Sequence, residues 1–384
     1  MNILIILIPF LLAFYLGKLI IRYIYLITYK KRLFDPVNAR KVHEQVIPRL
    51  GGVAFAPIQC CLMTMAIVIL HKYNLLNDLH VDGGHILPMF LMLTTGLVIL
   101  FIVGLADDLI GVSYKYKFIA QLLAASLFPL SGLWINDLYG VLFITYLPAW
   151  IGMPLTVFAV ILIINAINLI DGIDGLCSGL ILVSSLILGT LFAFHAAWLH
   201  AIFAFITAGL LIPFFYFNVF GASKRKRRIF MGDTGSLTLG YAIAFLAVSF
   251  AMNKPEIKPF SEGAIVPAFM SLMIPVLDVA RVMWVRFRNG KPVFQPDRSH
   301  IHHLFLGMGI SHRAAMIYII SLALFFSVLN TIMVQFISNN IVLALDLVLW
   351  GLFHAGLASL NFSKKFSTTI QDAEIYIEPL KAAN

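Results

Sequence analysis

Apolar runs long enough to cross a bilayer recur from one end of the chain to the other, separated by short polar stretches. A membrane-spanning helix needs about 20 predominantly apolar residues. Eleven segments meet that pattern: 3–27, 51–71, 87–105, 117–134, 149–167, 176–195, 198–217, 236–252, 264–285, 314–337 and 341–361. The pattern predicts an all-α polytopic membrane protein, a bundle of about 11 transmembrane helices (10–11). The first segment has no basic stretch before it, Lys18 and Arg22 fall towards its end, and no small-residue cleavage site follows. It is expected to be a retained transmembrane helix and not a signal peptide.

Composition excludes a soluble enzyme. Of 384 residues, 61% are hydrophobic and 12% charged, where a soluble domain carries about 25% charged residues. Cys60, Cys61 and Cys177 lie in or beside apolar segments, with neither metal-site nor disulfide spacing, and are expected to pack as small apolar residues. There is no internal repeat, and the loops are too short for a separate folded unit. Residues 1–361 therefore form a single transmembrane catalytic domain, followed by a polar cytoplasmic tail over 362–384.

Charge orients the bundle. Alternate connections divide into two sets, and one of them holds Lys30, Lys31, Arg32, Arg40, Lys41, Arg49, Lys115, Lys117, the run from Lys224 to Arg228, Arg288, Lys291, Arg298 and Arg313. The other set holds Lys72, Lys254 and Lys258. By the positive-inside rule the first set is cytoplasmic, which puts the N-terminus outside and the C-terminus inside. The net charge of +9 is then mostly a topology signal. With no basic soluble module, it does not point to nucleic acid.

The unusual polar groups collect on that cytoplasmic side. Asp107 and Asp108 end the third span in "GLADDLIG". Asn168, Asp171 and Asp174 recur every three residues in "INAINLIDGIDGL", at the end of the fifth. Asp233 stands in "FMGDTGS" just before the eighth, and His300, His302 and His303 follow the ninth. Each has a plainer reading: an aspartate as a helix cap, "GDTGS" as a turn with a serine cap, "SKRKRR" as a headgroup anchor. Four clusters on one face favour a site. Adjacent carboxylates with a carboxamide oxygen suit Mg²⁺, a hard cation that bridges protein oxygens and substrate phosphates. Zinc fits less well, since thiolates are missing and the histidines lie in a different loop from the acids. Lysine and histidine facing those acids would bind phosphate oxygens. The set equips a membrane surface for magnesium-assisted phosphoryl transfer to or from a lipid.

In order along the chain, "RKVHEQVIPRLGG", the "DD" pair, "NAINLIDGIDGL", "GDTGS" and "HIHH" resemble the polyprenyl-phosphate N-acetylhexosamine-1-phosphate transferases (glycosyltransferase family 4) over residues 35 to 313. The resemblance implies transfer of N-acetylhexosamine 1-phosphate from a UDP-N-acetylhexosamine to undecaprenyl phosphate, with release of UMP. It implies a multi-pass protein of the bacterial inner (cytoplasmic) membrane, in contact with membrane lipids and with a homodimer as one allowed assembly. The product would start O-antigen of lipopolysaccharide, enterobacterial common antigen, teichoic acid or peptidoglycan. The implied cofactor is Mg²⁺, with Mn²⁺ as a substitute.

Carried over by motif, Asp233 matches the principal magnesium ligand and Asn168 its partner. Asp107 and Asp108 match the acidic pair beside the lipid phosphate, Lys117 a phosphate-binding lysine, and Asp174 the residue that recognises the uracil edge. Asp171 is expected near the metal or nucleotide, as a catalytic residue with Asp107, Asp108 and Asp233. Arg298, His300, His302 and His303 belong to the loop that holds the sugar phosphate. The peptidoglycan branch has three consecutive histidines followed closely by an acid; here "SHIHHLFLG" interrupts the run with Ile301 and lacks the acid. That favours UDP-GlcNAc over UDP-MurNAc-pentapeptide.

Rival classes fit less well. A transporter would place its ionisable groups at the bilayer midplane, often in repeated halves. A scaffold has no use for four clusters on one face. A CDP-alcohol phosphotransferase needs Ala-Arg after its first Asp-Gly, where this chain has Ile173 and Asp174.

Overall fold

The computed structural model describes residues 2–31, 49–78, 83–225, 228–290 and 300–381. Among the described residues no strand forms; an isolated antiparallel bridge joins Asp137 to Tyr146. In chain order the helices are α1 (Asn2–Lys31), α2 (Phe55–Lys72), α3 (Leu75–Asp78), α4 (Gly83–Ile110), α5 (Tyr114–Leu130), α6 (Ala149–Ile170) and α7 (Leu176–Phe194). Then follow α8 (Trp198–Arg225), α9 (Gly232–Ala251), α10 (Ile265–Met270), α11 (Met273–Arg288), α12 (Ile301–Gly307), α13 (His312–Met333) and α14 (Asn339–Lys381).

Nine stretches among the described residues are helices long and apolar enough to cross a membrane, and they match nine of the eleven expected segments. The other two segments are helical as well. α5 accounts for 117–134 with only 17 residues. The segment at 264–285 breaks into α10 and α11 at Ser271 and Leu272. Pro275 has no N–H to give to the carbonyl four residues before it, that of Ser271. Ser184 Oγ of α7 donates to that carbonyl instead, at 3.1 Å, so the carbonyl that the proline leaves without its helical donor keeps a partner in the apolar interior.

Two boundaries move. α9 begins at Gly232, four residues ahead of the expected span, so "GDTGS" forms its first turn and does not precede it. α14 runs through residue 361 to Lys381, and no helix end marks the start of the polar tail.

α9 is the hub. It is buried from Thr234 to Ala251, and it packs against α4, α6, α7, α10 and α2. Gly235, Ser236, Thr238, Gly240, Ala242, Ala244 and Ala247 keep it slim, as close helix approach in a membrane requires. The most apolar helices lie outside it; α1 packs on α8 and α2 and leaves Ile3, Ile8, Tyr15 and Ile27 exposed. Buried polar pairs tie neighbours together: Gln59 Nε2 donates to Thr207 Oγ1 at 2.9 Å, and Asn330 Nδ2 to Asp346 Oδ2 at 2.9 Å. The ends of α4, α6, α8 and α11 and the starts of α5, α7, α9, α12 and α13 share one end of the bundle, and the described acids and histidines singled out above lie there.

Candidate active site

The site is built on the first turn of α9. A helix start leaves its first amides without intrahelical acceptors, and here the acceptor comes from another helix. Asp108, near the end of α4, takes the Asp233 N–H on Oδ1 at 2.8 Å. Its Oδ2 takes the Thr234 N–H at 2.9 Å and the Thr234 hydroxyl at 2.6 Å. Arg49 Nε lies 3.4 Å from Oδ1, and the Asp108 side chain is fully buried. Gly232 opens the turn with φ +74°, and a Cβ there would collide with the Asp108 carboxylate and the Arg49 carbonyl. Only glycine meets both demands. Asp108 is thus spent on holding α4 to α9.

Its neighbour Asp107 faces a different partner. One oxygen accepts from the Val112 N–H at 2.7 Å; the other lies 3.2 Å from Lys117 Nζ. The same ammonium is 2.9 Å from Asp233 Oδ2, and Arg49 reaches Asp233 Oδ1 at 3.4 Å. Three helices, α4, α5 and α9, therefore bring Asp107, Lys117 and Asp233 to one point. Asp171, at the end of α6, joins them electrostatically. The residue is exposed at this end of the bundle, with protein close around its carboxyl. Burial and then the negative charge of Asp233 push its pKa up to about 7, against the pull of Arg49.

Asn168 sits one turn earlier on α6. Its Nδ2 donates to Ser236 Oγ at 2.8 Å, which orients the carboxamide and leaves its oxygen for another partner. The turn between α6 and α7 is held from α8: Asn218 Oδ1 accepts the Gly175 N–H at 2.6 Å, and its Nδ2 donates to the Ile229 carbonyl at 2.8 Å. Asp174 forms an ion pair with Arg228.

The histidine segment meets the same turn. A Cβ on Gly172 would fall on the His302 ring, so the backbone beside Asp171 and that imidazole are in direct packing contact. His302 is buried, and its Nδ1 has no hydrogen-bond partner among the described residues. Burial, with His303 and His300 adding to it, pushes its pKa down to about 3, so the ring is neutral. His300 is also buried and bound to Asp278 at 2.9 Å. His303 is the half-buried member of the three. Arg298, Lys226 and Arg227 lie outside the described residues.

The structure brings together Asp107, Asp108, Lys117, Asn168, Asp171, Asp233 and His302, while Asp174, in the same turn as Asp171, pairs with Arg228. Sequence reasoning counted Arg49 only as a loop charge and passed over Asn218 and Asp278. Asp278 carried a usable signal, since an acid within an apolar segment is rarely idle.

Magnesium can be tested against these side chains. Among the described residues, no three His, Cys, Asp or Glu side chains could hold a metal ion on their own. Mg²⁺ does not require that; it keeps several waters and binds through one or two carboxylates plus substrate phosphates. Asp233 and Asp107 present oxygens to one cation already, Lys117, and Asn168 and Asp171 add a carboxamide and a carboxylate nearby. An all-oxygen set crowded with negative charge fits a hard divalent ion.

A family model described as "Glycosyl transferase family 4" matches residues 89–251. That stretch holds the acids, Lys117 and Asn168, but ends before the histidines. A Bacillus subtilis (strain 168) protein named "Probable undecaprenyl-phosphate N-acetylglucosaminyl 1-phosphate transferase" is 31% identical over 296 residues, covering 77% of this chain and 75% of that one. The Yersinia pestis protein named "Undecaprenyl-phosphate alpha-N-acetylglucosaminyl 1-phosphate transferase" is 31% identical over 328 residues, 84% and 83% of the two chains. Its namesake in Escherichia coli (strain K12) is 32% identical over 297 residues, 76% and 73%.

Proposed function

The chain belongs to glycosyl transferase family 4, and on that premise we propose that it moves N-acetylglucosamine 1-phosphate from UDP-N-acetylglucosamine to undecaprenyl phosphate. A phosphate oxygen of the lipid attacks the sugar-linked phosphorus, the pyrophosphate bond breaks, and UMP leaves; the lipid pyrophosphoryl sugar starts a cell-surface polymer. The observation that carries the reading is Lys117 Nζ held between Asp107 and Asp233, 3.2 and 2.9 Å away, beside the exposed Asp171. Phosphoryl transfer between two anions is mostly a problem of positioning and charge, and this cluster alternates both signs at one point.

Each residue has a part. Lys117 neutralises phosphate oxygens as they approach, and Arg49 adds positive charge beside Asp233. Asp107 orients the acceptor end. The incoming group is already an oxyanion, so no strong base is called for. Asp174 serves the nucleotide, with Arg228 as its resting partner, and His303 offers a ring nitrogen to the sugar-phosphate end. Asp233, with Asn168 and Asp171 or Asp107, would hold Mg²⁺, which offsets repulsion between the acceptor oxyanion and the donor pyrophosphate when bound.

The test is a donor panel. Purified protein with undecaprenyl phosphate and labelled UDP-sugars should give lipid-linked product and UMP from UDP-GlcNAc. Product from UDP-MurNAc-pentapeptide alone would move the chain to the peptidoglycan branch, and product from no UDP-sugar would overturn the reading.

The site end of the bundle is proposed to face the cytoplasm, with the N-terminus outside, because Lys and Arg concentrate on that end. In a background with Cys60, Cys61 and Cys177 replaced by alanine, Ser113→Cys and Asn289→Cys should resist a membrane-impermeant thiol reagent in intact cells. Lys72→Cys and Glu262→Cys should react. The reverse pattern would put the site out of reach of cytosolic UDP-sugar.

A further inference from the structure

Asp278 lies on α11, away from the family-model match, with a fully buried side chain and three donors around it. Its Oδ1 accepts the Ile301 N–H at 3.0 Å and an Arg281 NH2 proton at 2.8 Å. Its Oδ2 faces His300 Nδ1 at 2.9 Å. Ile301 supplies the first amide of α12, and the N-cap residue His300 makes no side-chain cap of its own. One carboxylate therefore starts α12 and grips the ring of the residue before it, as Asp108 starts α9 from α4.

The grip fixes more than a helix end. A carboxylate can only accept, so the proton in the contact belongs to His300 Nδ1 and Nε2 is the ring atom left for another partner. The His300 ring lies parallel to that of His302, 3° between planes and 6.1 Å between centroids. His302 in turn packs on Gly172, beside Asp171. The chain of contacts Asp278–His300–His302–Gly172 thus links α11 to the acid cluster through side chains that are all buried. Imidazoles at functional sites commonly depend on such an outer partner for tautomer and orientation.

We infer that Asp278 is a positioning residue for the sugar-nucleotide side of the site, acting through His300. The inference rests on the transferase reading above, and it assigns Asp278 no contact with substrate. Asp278→Asn keeps the size and one acceptor but cannot accept from Ile301, Arg281 and His300 together.

Purified Asp278→Asn should lose kcat/KM for UDP-GlcNAc by about 10–100-fold, the scale for losing an orienting partner, with the KM for undecaprenyl phosphate within about twofold. The decisive readout is coupling to His300: the double variant Asp278→Asn/His300→Ala should be no slower than His300→Ala alone. Additive losses, equal losses on both substrates, a silent His300→Ala, or a lowered melting temperature with unchanged kinetics would each overturn the inference. If Asp278→Asn does not accumulate in the membrane, Asp278→Glu carries the same cycle, because it keeps the charge and displaces the oxygens by one methylene; parental kinetics in that variant would also count against it. The two levels fail differently. A wild-type protein that makes no lipid product from any UDP-sugar removes the transferase reading, whereas an active wild type with additive losses removes only the role of Asp278.

Discussion

Asp233→Asn is expected to lower turnover by about 10²–10³-fold or more, the range for removing one group that stabilises developing charge, while the protein still inserts and melts close to its parent. The fold does not lean on this carboxylate. The Asp233 backbone is held by Asp108 through its N–H, and the side chain lies beside Asp107 and pairs with Lys117 and Arg49, each of which keeps a second acid, Asp107 or Asp108. What the variant loses is the anionic oxygen best placed for a hard cation. EDTA should therefore stop the wild type, and added Mg²⁺ should restore it. The checks are lipid-product formation and a thermal melt on the same purified sample. Undiminished turnover in the variant, or in EDTA, would sink the metal assignment and return Asp233 to the role of a counter-ion for Lys117.

The spans were legible because hydropathy is a local property, and a helix in lipid satisfies its backbone without help from neighbours. Burial was not. α9 is the least apolar of the nine spans and the most buried, whereas α1, among the most apolar, is the least buried. In a bilayer the lipid-facing helices are the greasy ones, and the centre is reserved for small and polar residues that pack closely. The break between α10 and α11 could have been read from Pro275, yet its location also depends on Ser184, which is distant in sequence. The acids of the site stood out because they sit at span ends; Asp278 was marked as an acid inside a span, with nothing in the sequence to say what it meets. No spacing rule says that Asp278 should meet His300, 22 residues on, since that contact belongs to tertiary packing. The same limit applies to "DD": two identical neighbours cannot be told apart by sequence, although the rotation of about 100° per helical residue sends them to different partners.

That separation gives the second large effect. Asp108→Asn should destabilise the protein by about 3 kcal/mol or more, the scale for breaking a buried charged acceptor's hydrogen bonds, and Asp107→Asn should not. Asp108 is fully buried and satisfies two backbone amides and a hydroxyl at the start of α9. An asparagine there would turn its NH2 group towards amide donors and leave at least one of them unpaired. Asp107 instead accepts from one backbone amide with Oδ1 and shares Lys117 with its other oxygen. An asparagine at 107 can keep the Val112 bond through its own carbonyl while giving up the charge that faces the site. Asp107→Asn should therefore melt near the parent and turn over about 10²-fold more slowly or worse, and Asp108→Asn should melt lower, with lost activity that tracks the unfolded fraction. Thermal melts beside kcat measurements on the folded fraction decide it. If Asp107→Asn proves the unstable variant, or Asp108→Asn stays folded yet inactive, the assignment of Asp107 to the acceptor phosphate and Asp108 to the scaffold is reversed.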